Sequence, residues 1–154
     1  MLRASILVSI ALALLLAACG SEGEETPQAC LTEGADYRQA LAAAPGEVEL
    51  EDGTSISECL VPEQSGGELA RVGEAIVDVG TDLNSRARQD PQGPATVQLG
   101  YLVGAVERGS EGIHADLVRR LNAAARFSPG GAGLLSAEFE RTFGQGYEAG
   151  LESG

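Results

Sequence analysis

Carboxylates are abundant in this chain of 154 residues, with 23 Asp and Glu, and two distant ones could converge in the fold, but their abundance by itself predicts no catalytic pair. Ser110, His114 and Asp116 lie close together, which would suit a hydrolase if their side chains converged. His114 and Asp116 are two positions apart on a predicted helix, however, and residues at that spacing do not face each other. The sequence contains neither the nucleophile elbow G-x-S-x-G nor a phosphate-binding loop. We therefore expect a non-enzymatic protein, with His114 exposed at a helix start.

Metal ions and cofactors have few candidate ligands in the sequence. His114 is the only histidine, so a metal site built from several imidazoles is excluded. Glu47, Glu49, Glu51 and Asp52 raise the alternative of a calcium site. Alternation spreads the glutamates along one face of a strand, and no EF-hand spacing occurs. We expect a solvated acidic face there, and no metal or cofactor.

The three cysteines are Cys19, Cys30 and Cys59, and the first of them follows an apolar run. Arg3 supplies a positive charge, residues 6–16 are apolar, and small residues lead into Cys19. This order is typical of a secretory signal, and the run is shorter than the ~20 apolar residues of a transmembrane helix. We expect residues 1–18 to be a cleaved signal peptide.

The motif Leu16-Ala17-Ala18-Cys19 resembles the lipobox of bacterial lipoprotein precursors, and Gly20 and Ser21 follow it. The resemblance covers only the N-terminal segment. It implies that Cys19 is linked to diacylglycerol, that cleavage makes Cys19 the N-terminus, and that the protein is anchored on the extracytoplasmic face of a bacterial membrane. In the family, an Asp after the cysteine can retain the protein at the inner membrane. Gly20 holds that position here, so the choice between inner and outer membrane stays open.

Acidic residues dominate the segment that would lie nearest the membrane. The net charge of −13 argues against nucleic-acid binding, which needs clustered basic residues. Between Cys19 and Glu63, eleven acidic residues face Arg38 alone. Residues 19–29 are polar and acidic without an apolar period, which is typical of a flexible tether. We expect this tether to hold the domain off an anionic surface.

Cys30 and Cys59 remain as an even pair in an exported chain, where disulfides persist. We expect them to be bonded, because no C-x-x-C motif or adjacent histidine favours the alternative of a metal or redox pair. Residues 30–63 would form the clasped segment. Asp36 is the expected N-cap of a short helix that ends before Pro45. A β-hairpin with its turn at residues 52–53 should follow.

Residues 64–154 are predicted to form about four helices in a small bundle, so that 30–154 make one mainly α-helical domain. A capping box at residues 65–68 should begin the first helix, and Pro94 the second. The second helix has no charge from 96 to 106, which indicates a buried central helix. The apolar positions that define the first helix are Leu69, Val72, Ile76, Val79 and Leu83. Those of the third helix are Ile113, Leu117, Leu121, Ala124 and Phe127. Those of the fourth helix are Leu135, Phe139, Phe143, Tyr147 and Leu151.

Glycines in the predicted helices indicate close packing. Gly73 and Gly80 predict a neighbouring helix against that edge of the first helix. Gly100 and Gly104 predict tight packing in the bundle, with a ligand pocket bordered by these glycines and Tyr101 as the less favoured alternative. The three glycines near the C-terminus predict fraying of the last helix: Gly144, Gly146 and Gly150.

Arg119, Arg120 and Arg126 are the densest basic group in the chain. They are a candidate interaction patch for an anionic partner, although a solvated helix face is the more ordinary interpretation. We expect a protein-interaction or structural role in the cell envelope. The alternative is a lipoprotein that binds or carries a small molecule or a lipid.

Overall fold

Five α-helices and four 3₁₀ turns form the secondary structure of the computed structural model, which describes residues 25–126 and 135–154. The helices are α1 (Gly34–Leu41), α2 (Gly66–Gln89), α3 (Pro94–Gly109), α4 (Ala115–Arg126) and α5 (Ala137–Ser153). The 3₁₀ turns are Gln28–Leu31, Glu51–Gly53, Ser57–Cys59 and Gly112–His114. No β-strand occurs within the described residues, so the prediction of a mainly helical protein is confirmed. The predicted signal peptide, Cys19, Phe127 and the helix break at 128–131 lie outside them.

The predicted disulfide between Cys30 and Cys59 is present and joins the first 3₁₀ turn to the third. Both cysteines are fully buried, and the Tyr37 hydroxyl donates a hydrogen bond of 2.9 Å to the carbonyl oxygen of Cys30. In the chain-entropy model, closing such a loop contributes roughly 3–4 kcal/mol of stability. The prediction that Asp36 caps α1 is wrong, because the helix begins at Gly34 and Asp36 lies in its first turn.

The predicted β-hairpin is absent, although its turn forms. Asp52 and Gly53 both have positive φ, at 62° and 77°, and the Leu50 N–H donates to the Thr54 carbonyl oxygen at 2.8 Å. The next N–H, that of Ser55, bonds to a nearby carboxylate at 2.7 Å, so no ladder continues. The alternation of this segment reflects burial of its apolar side chains and exposure of its glutamates, without strand pairing.

Local signals set the start of α2 as the sequence predicts. The Ser65 hydroxyl accepts a hydrogen bond from the Glu68 N–H at 3.3 Å, and the Glu68 carboxylate accepts from the Ser65 N–H at 3.1 Å. This reciprocal pair satisfies backbone donors that the first turn leaves free. The helix then buries the apolar side chains of its predicted stripe in the core: Val72, Ile76, Val79 and Leu83.

The four long helices alternate in direction. α2 and α4 run parallel, because Gly73 faces Leu117 and Gly80 faces Leu121. α3 ends at Gly109, against the backbone of Ser57 in the clasped segment. The Ser57 hydroxyl also donates to the carbonyl oxygen of Gly154, so α5 finishes at the same place. We call this the clasp end, and we call the opposite end, where α2 and α4 finish, the far end.

α3 and α5 cross at backbone contact through four glycines, two from each helix. A Cβ atom added to any of them would overlap a carbonyl oxygen of the other helix. The overlapping pairs are Gly100 with Phe143, Gly104 with Tyr147, Gly146 with Val97, and Gly150 with Tyr101. Tight packing at Gly100 and Gly104 is thus confirmed. The predicted fraying of α5 is wrong, because α3 covers Gly146 and Gly150 and the helix continues to Ser153.

Candidate functional site

The three side chains closest to a hydrolase set do not come together. The Ser110 hydroxyl donates to the Val106 carbonyl oxygen, and the Asp116 carboxylate pairs with Arg119. The Nδ1 atom of His114 accepts a hydrogen bond of 3.1 Å from the backbone N–H of Glu111, so it is not bonded to the Asp116 carboxylate. His114 is also fully buried, so its predicted exposure is wrong: the 3₁₀ turn that carries it packs into the clasp end ahead of α4. The three side chains therefore do not form a Ser-His-Asp triad, and His114 belongs to the packed interior.

Protein occupies the face of α3 at which the alternative interpretation places a ligand pocket. The α5 backbone covers Gly100 and Gly104, as the overlaps above require. Tyr101 is fully buried, and its hydroxyl lies 3.3 Å from that of Ser153 on α5. Core packing, the favoured interpretation of these residues, is therefore what the structure shows.

The arginines of α4 lie on its solvent side. Arg119, Arg120 and Arg126 are all exposed. Arg119 and Arg126 are seven residues apart, which places them on one face about 10 Å apart along the axis. Exposed Ala123 lies between them on that face. Arg119 pairs with Asp116, whereas neither Arg120 nor Arg126 has a carboxylate partner among the described residues. We call the surface formed by Arg119, Arg120, Ala123 and Arg126 the arginine face.

Arg88 adds a further basic side chain at the far end of α2. The sequence pattern did not indicate a role for this residue. Its Nε donates to the Asn84 side-chain oxygen at 2.9 Å, and its Nη2 donates to the Ala125 carbonyl oxygen at 3.3 Å. Its guanidinium carbon lies 4.6 Å from the ring centre of Phe139. Burial lowers the pKa of the guanidinium. Only the spacing to Asn84 is visible in the sequence, because Ala125 and Phe139 belong to distant helices.

Carboxylates line two open clefts on the other parts of the surface. One, of about 610 Å³, lies between α1 and residues 47–51 and includes Asp36, Glu47, Glu49 and Glu51 among its lining residues. The second, of about 500 Å³, lies beside the clasp end. Its acidic lining residues are Glu25, Asp52 and Glu58. In the part of the chain that the structure describes, no three His, Cys, Asp or Glu side chains are arranged to hold a metal ion.

The packed domain begins earlier than the sequence predicted. Thr26, which was assigned to the flexible tether, is buried, and its hydroxyl accepts a hydrogen bond of 3.0 Å from Gln64. Gln64 also donates to the carbonyl oxygen of Cys59 at 3.0 Å, which ties this contact to the clasp. In the sequence, six residues (20–25) lie between Cys19 and buried Thr26.

Within residues 25–126 and 135–154, no helix combines the length and the apolar character needed to cross a bilayer. Comparison with protein families, with curated proteins and with solved structures finds no match to this chain.

Proposed function

We propose that this protein is a lipid-anchored protein of the bacterial cell envelope that acts by binding another protein and not by catalysis. The lipobox-like motif that ends at Cys19 supports the anchor. The observation that carries the binding role is the arginine face, a basic surface on a protein whose net charge is −13.

The short link to Cys19 restricts how the domain meets the membrane. Six residues span at most about 20 Å when fully extended. A helix of 24 residues, the length of α2, is about 36 Å long. Because the link enters beside Gln64 at the clasp end, that end stays near the membrane, whereas the far end can stand well above it.

The distribution of charge does not by itself favour this orientation, so the short link has to impose it. The clasp end carries Glu25, Asp52 and Glu58 around one cleft, so it should be repelled by anionic lipid headgroups. Arg126 and Arg88 lie at or near the opposite end, where α4 and α2 finish. Anionic headgroups would attract these arginines, so the outward position of the far end and the arginine face depends on the short link alone.

The partner that best fits the arginine face is a protein surface rich in Asp and Glu. Arginine binds carboxylates through paired N–H donors, and exposed Arg120 and Arg126 have these donors available. Complementary charge of this kind mainly sets the rate of encounter and the choice of partner. Binding should therefore weaken as salt rises.

Site-specific crosslinking tests this proposal. A photoreactive amino acid at Ala123, between Arg119 and Arg126, should capture one protein in growing cells. The same group at exposed Ala35 on α1 is the matched control and should not capture it. Arg120→Gln should reduce the Ala123 product several-fold, whereas Arg141→Gln, which removes an exposed charge on α5, should leave it unchanged. Equal capture from both positions, or no specific capture from Ala123, would contradict the proposal.

A further inference from the structure

His114 occupies an unusual position for the only histidine of the chain. It ends the 3₁₀ turn Gly112–His114, directly before α4, and it is fully buried. Its Nδ1 accepts a hydrogen bond of 3.1 Å from the Glu111 N–H, and the Glu111 side chain accepts one from the His114 N–H in return. The imidazole is therefore one half of a reciprocal cap of the 3₁₀ turn that leads into α4.

This hydrogen bond fixes the proton of the neutral ring. Since Nδ1 accepts, the proton of neutral His114 is on Nε2. Nε2 is buried and has no hydrogen-bond partner among the described residues. A buried donor without a partner costs about 1–3 kcal/mol, so this turn is already a weak point of the packing.

A second proton would break the cap. It would occupy Nδ1, turn that acceptor into a donor, and set it against the Glu111 N–H. It would also create a buried positive charge at the N-terminal end of α4, where the helix dipole disfavours cations. Burial lowers the pKa of His114, and the negative charge of Glu111 opposes this only in part.

Other charged groups around the turn do not offset such a charge. Glu111 is the charged group that acts on the imidazole within the described residues. On α3, the Glu107 carboxylate accepts hydrogen bonds from Asn122 and Tyr147, and the Arg108 guanidinium donates to carbonyl oxygens of α5. On α2, Gly73 faces Leu117 in the first turn of α4, and the charged α2 side chain that contacts α4, Arg88, lies at the far end of both helices.

We propose that His114 is an acid switch, whose protonation releases the turn before α4, and the first turn of α4 itself, from the rest of the bundle. The inference does not depend on the lipid anchor or on a partner. Because Arg119 and Arg120 directly follow the first turn of α4, release of that turn would alter the arginine face.

The direction of the pH effect follows from linkage. The opened state holds an ordinary imidazole, with a pKa near 6.5, whereas the closed state binds the proton more weakly. The closed state therefore keeps its full stability above about pH 6.5 and loses it as pH falls. For one proton, the ratio of open to closed molecules can rise at most about tenfold per pH unit in that window.

Nuclear magnetic resonance can follow the switch in the full chain in detergent micelles, because a single imidazole gives unambiguous signals. His114 should titrate below pH 6.5. Amide exchange of residues 111–117, corrected for intrinsic rates, should speed up several-fold between pH 7 and pH 5. The amides of Gly146 and Gly150, in the α3–α5 crossing, should stay protected. Titration at or above pH 6.5, unchanged exchange at 111–117, or loss of protection everywhere at once would overturn the proposal.

His114→Asn separates the switch from the titration of nearby carboxylates. The asparagine side-chain oxygen can take the place of Nδ1 as acceptor but does not titrate. This variant should keep residues 111–117 closed at pH 5. If it opens like the wild type, the switch is not His114. If the variant does not fold, the wild-type titration and exchange data decide the question alone.

Discussion

Gly104 of α3 lies directly against the carbonyl oxygen of Tyr147 on α5, with no room for a Cβ atom between the two helices. Three further contacts of this kind follow along the same crossing. Backbones this close gain dispersion contacts over their whole length, which offsets the conformational cost of glycine inside a helix. The α3–α5 pair is therefore the part of the bundle most sensitive to a single added methyl group.

Gly104→Ala should destabilise the protein by about 3 kcal/mol, because the new methyl group forces α3 and α5 apart along the crossing. Urea unfolding followed by circular dichroism measures the change in the free energy of unfolding. Gly144→Ala is the matched control on α5, where a Cβ atom would meet nothing within 4 Å. That variant should gain about 0.5–1 kcal/mol from helix propensity. Equal effects of the two substitutions would show that the crossing is not tightly packed.

Removal of the disulfide by Cys30→Ala together with Cys59→Ala should lower the free energy of unfolding by about 3–4 kcal/mol, because the denatured chain gains conformational freedom. Thermal unfolding of the double variant and the wild type, with and without reductant, measures the effect. Reductant should destabilise the wild type alone. A double variant as stable as the oxidised wild type would contradict the role of the clasp.

Arg88→Met should destabilise the far end by about 1–2 kcal/mol, because it removes two hydrogen bonds and the contact with the Phe139 ring but keeps the apolar stem. Arg141→Met, at an exposed position on α5, should change stability by less than about 0.5 kcal/mol. Chemical unfolding of both variants gives the comparison. If both lose the same amount, the Arg88 contacts contribute nothing measurable.

Local features were predictable from the sequence where neighbouring residues decide them. The Ser65 and Glu68 cap depends on residues three apart, and the cysteine pair followed from composition and spacing. The turn at Asp52 was also predictable, but the strands around it were not. The two segments do not pair as strands, because the Ser55 N–H bonds to a carboxylate three residues on. No period-2 pattern reveals this contact.

Features that depend on distant helices were not predictable. Gly146 and Gly150 by themselves predict a weak helix, whereas their contact with α3 stabilises it. His114 looked exposed because it starts a helix, yet its turn is buried. Arg88 gave no signal, since its ring partner Phe139 is on another helix.

The most direct test of the account is fatty-acid labelling of the full chain in bacterial cells. Wild-type protein should incorporate an alkyne-tagged fatty acid and sediment with the membranes, and Ser21→Ala, two residues after Cys19, should behave in the same way. Cys19→Ala should show no labelling. A wild-type protein without label, or a Cys19→Ala variant that is still labelled, would contradict the anchor on which the proposed orientation of the domain depends.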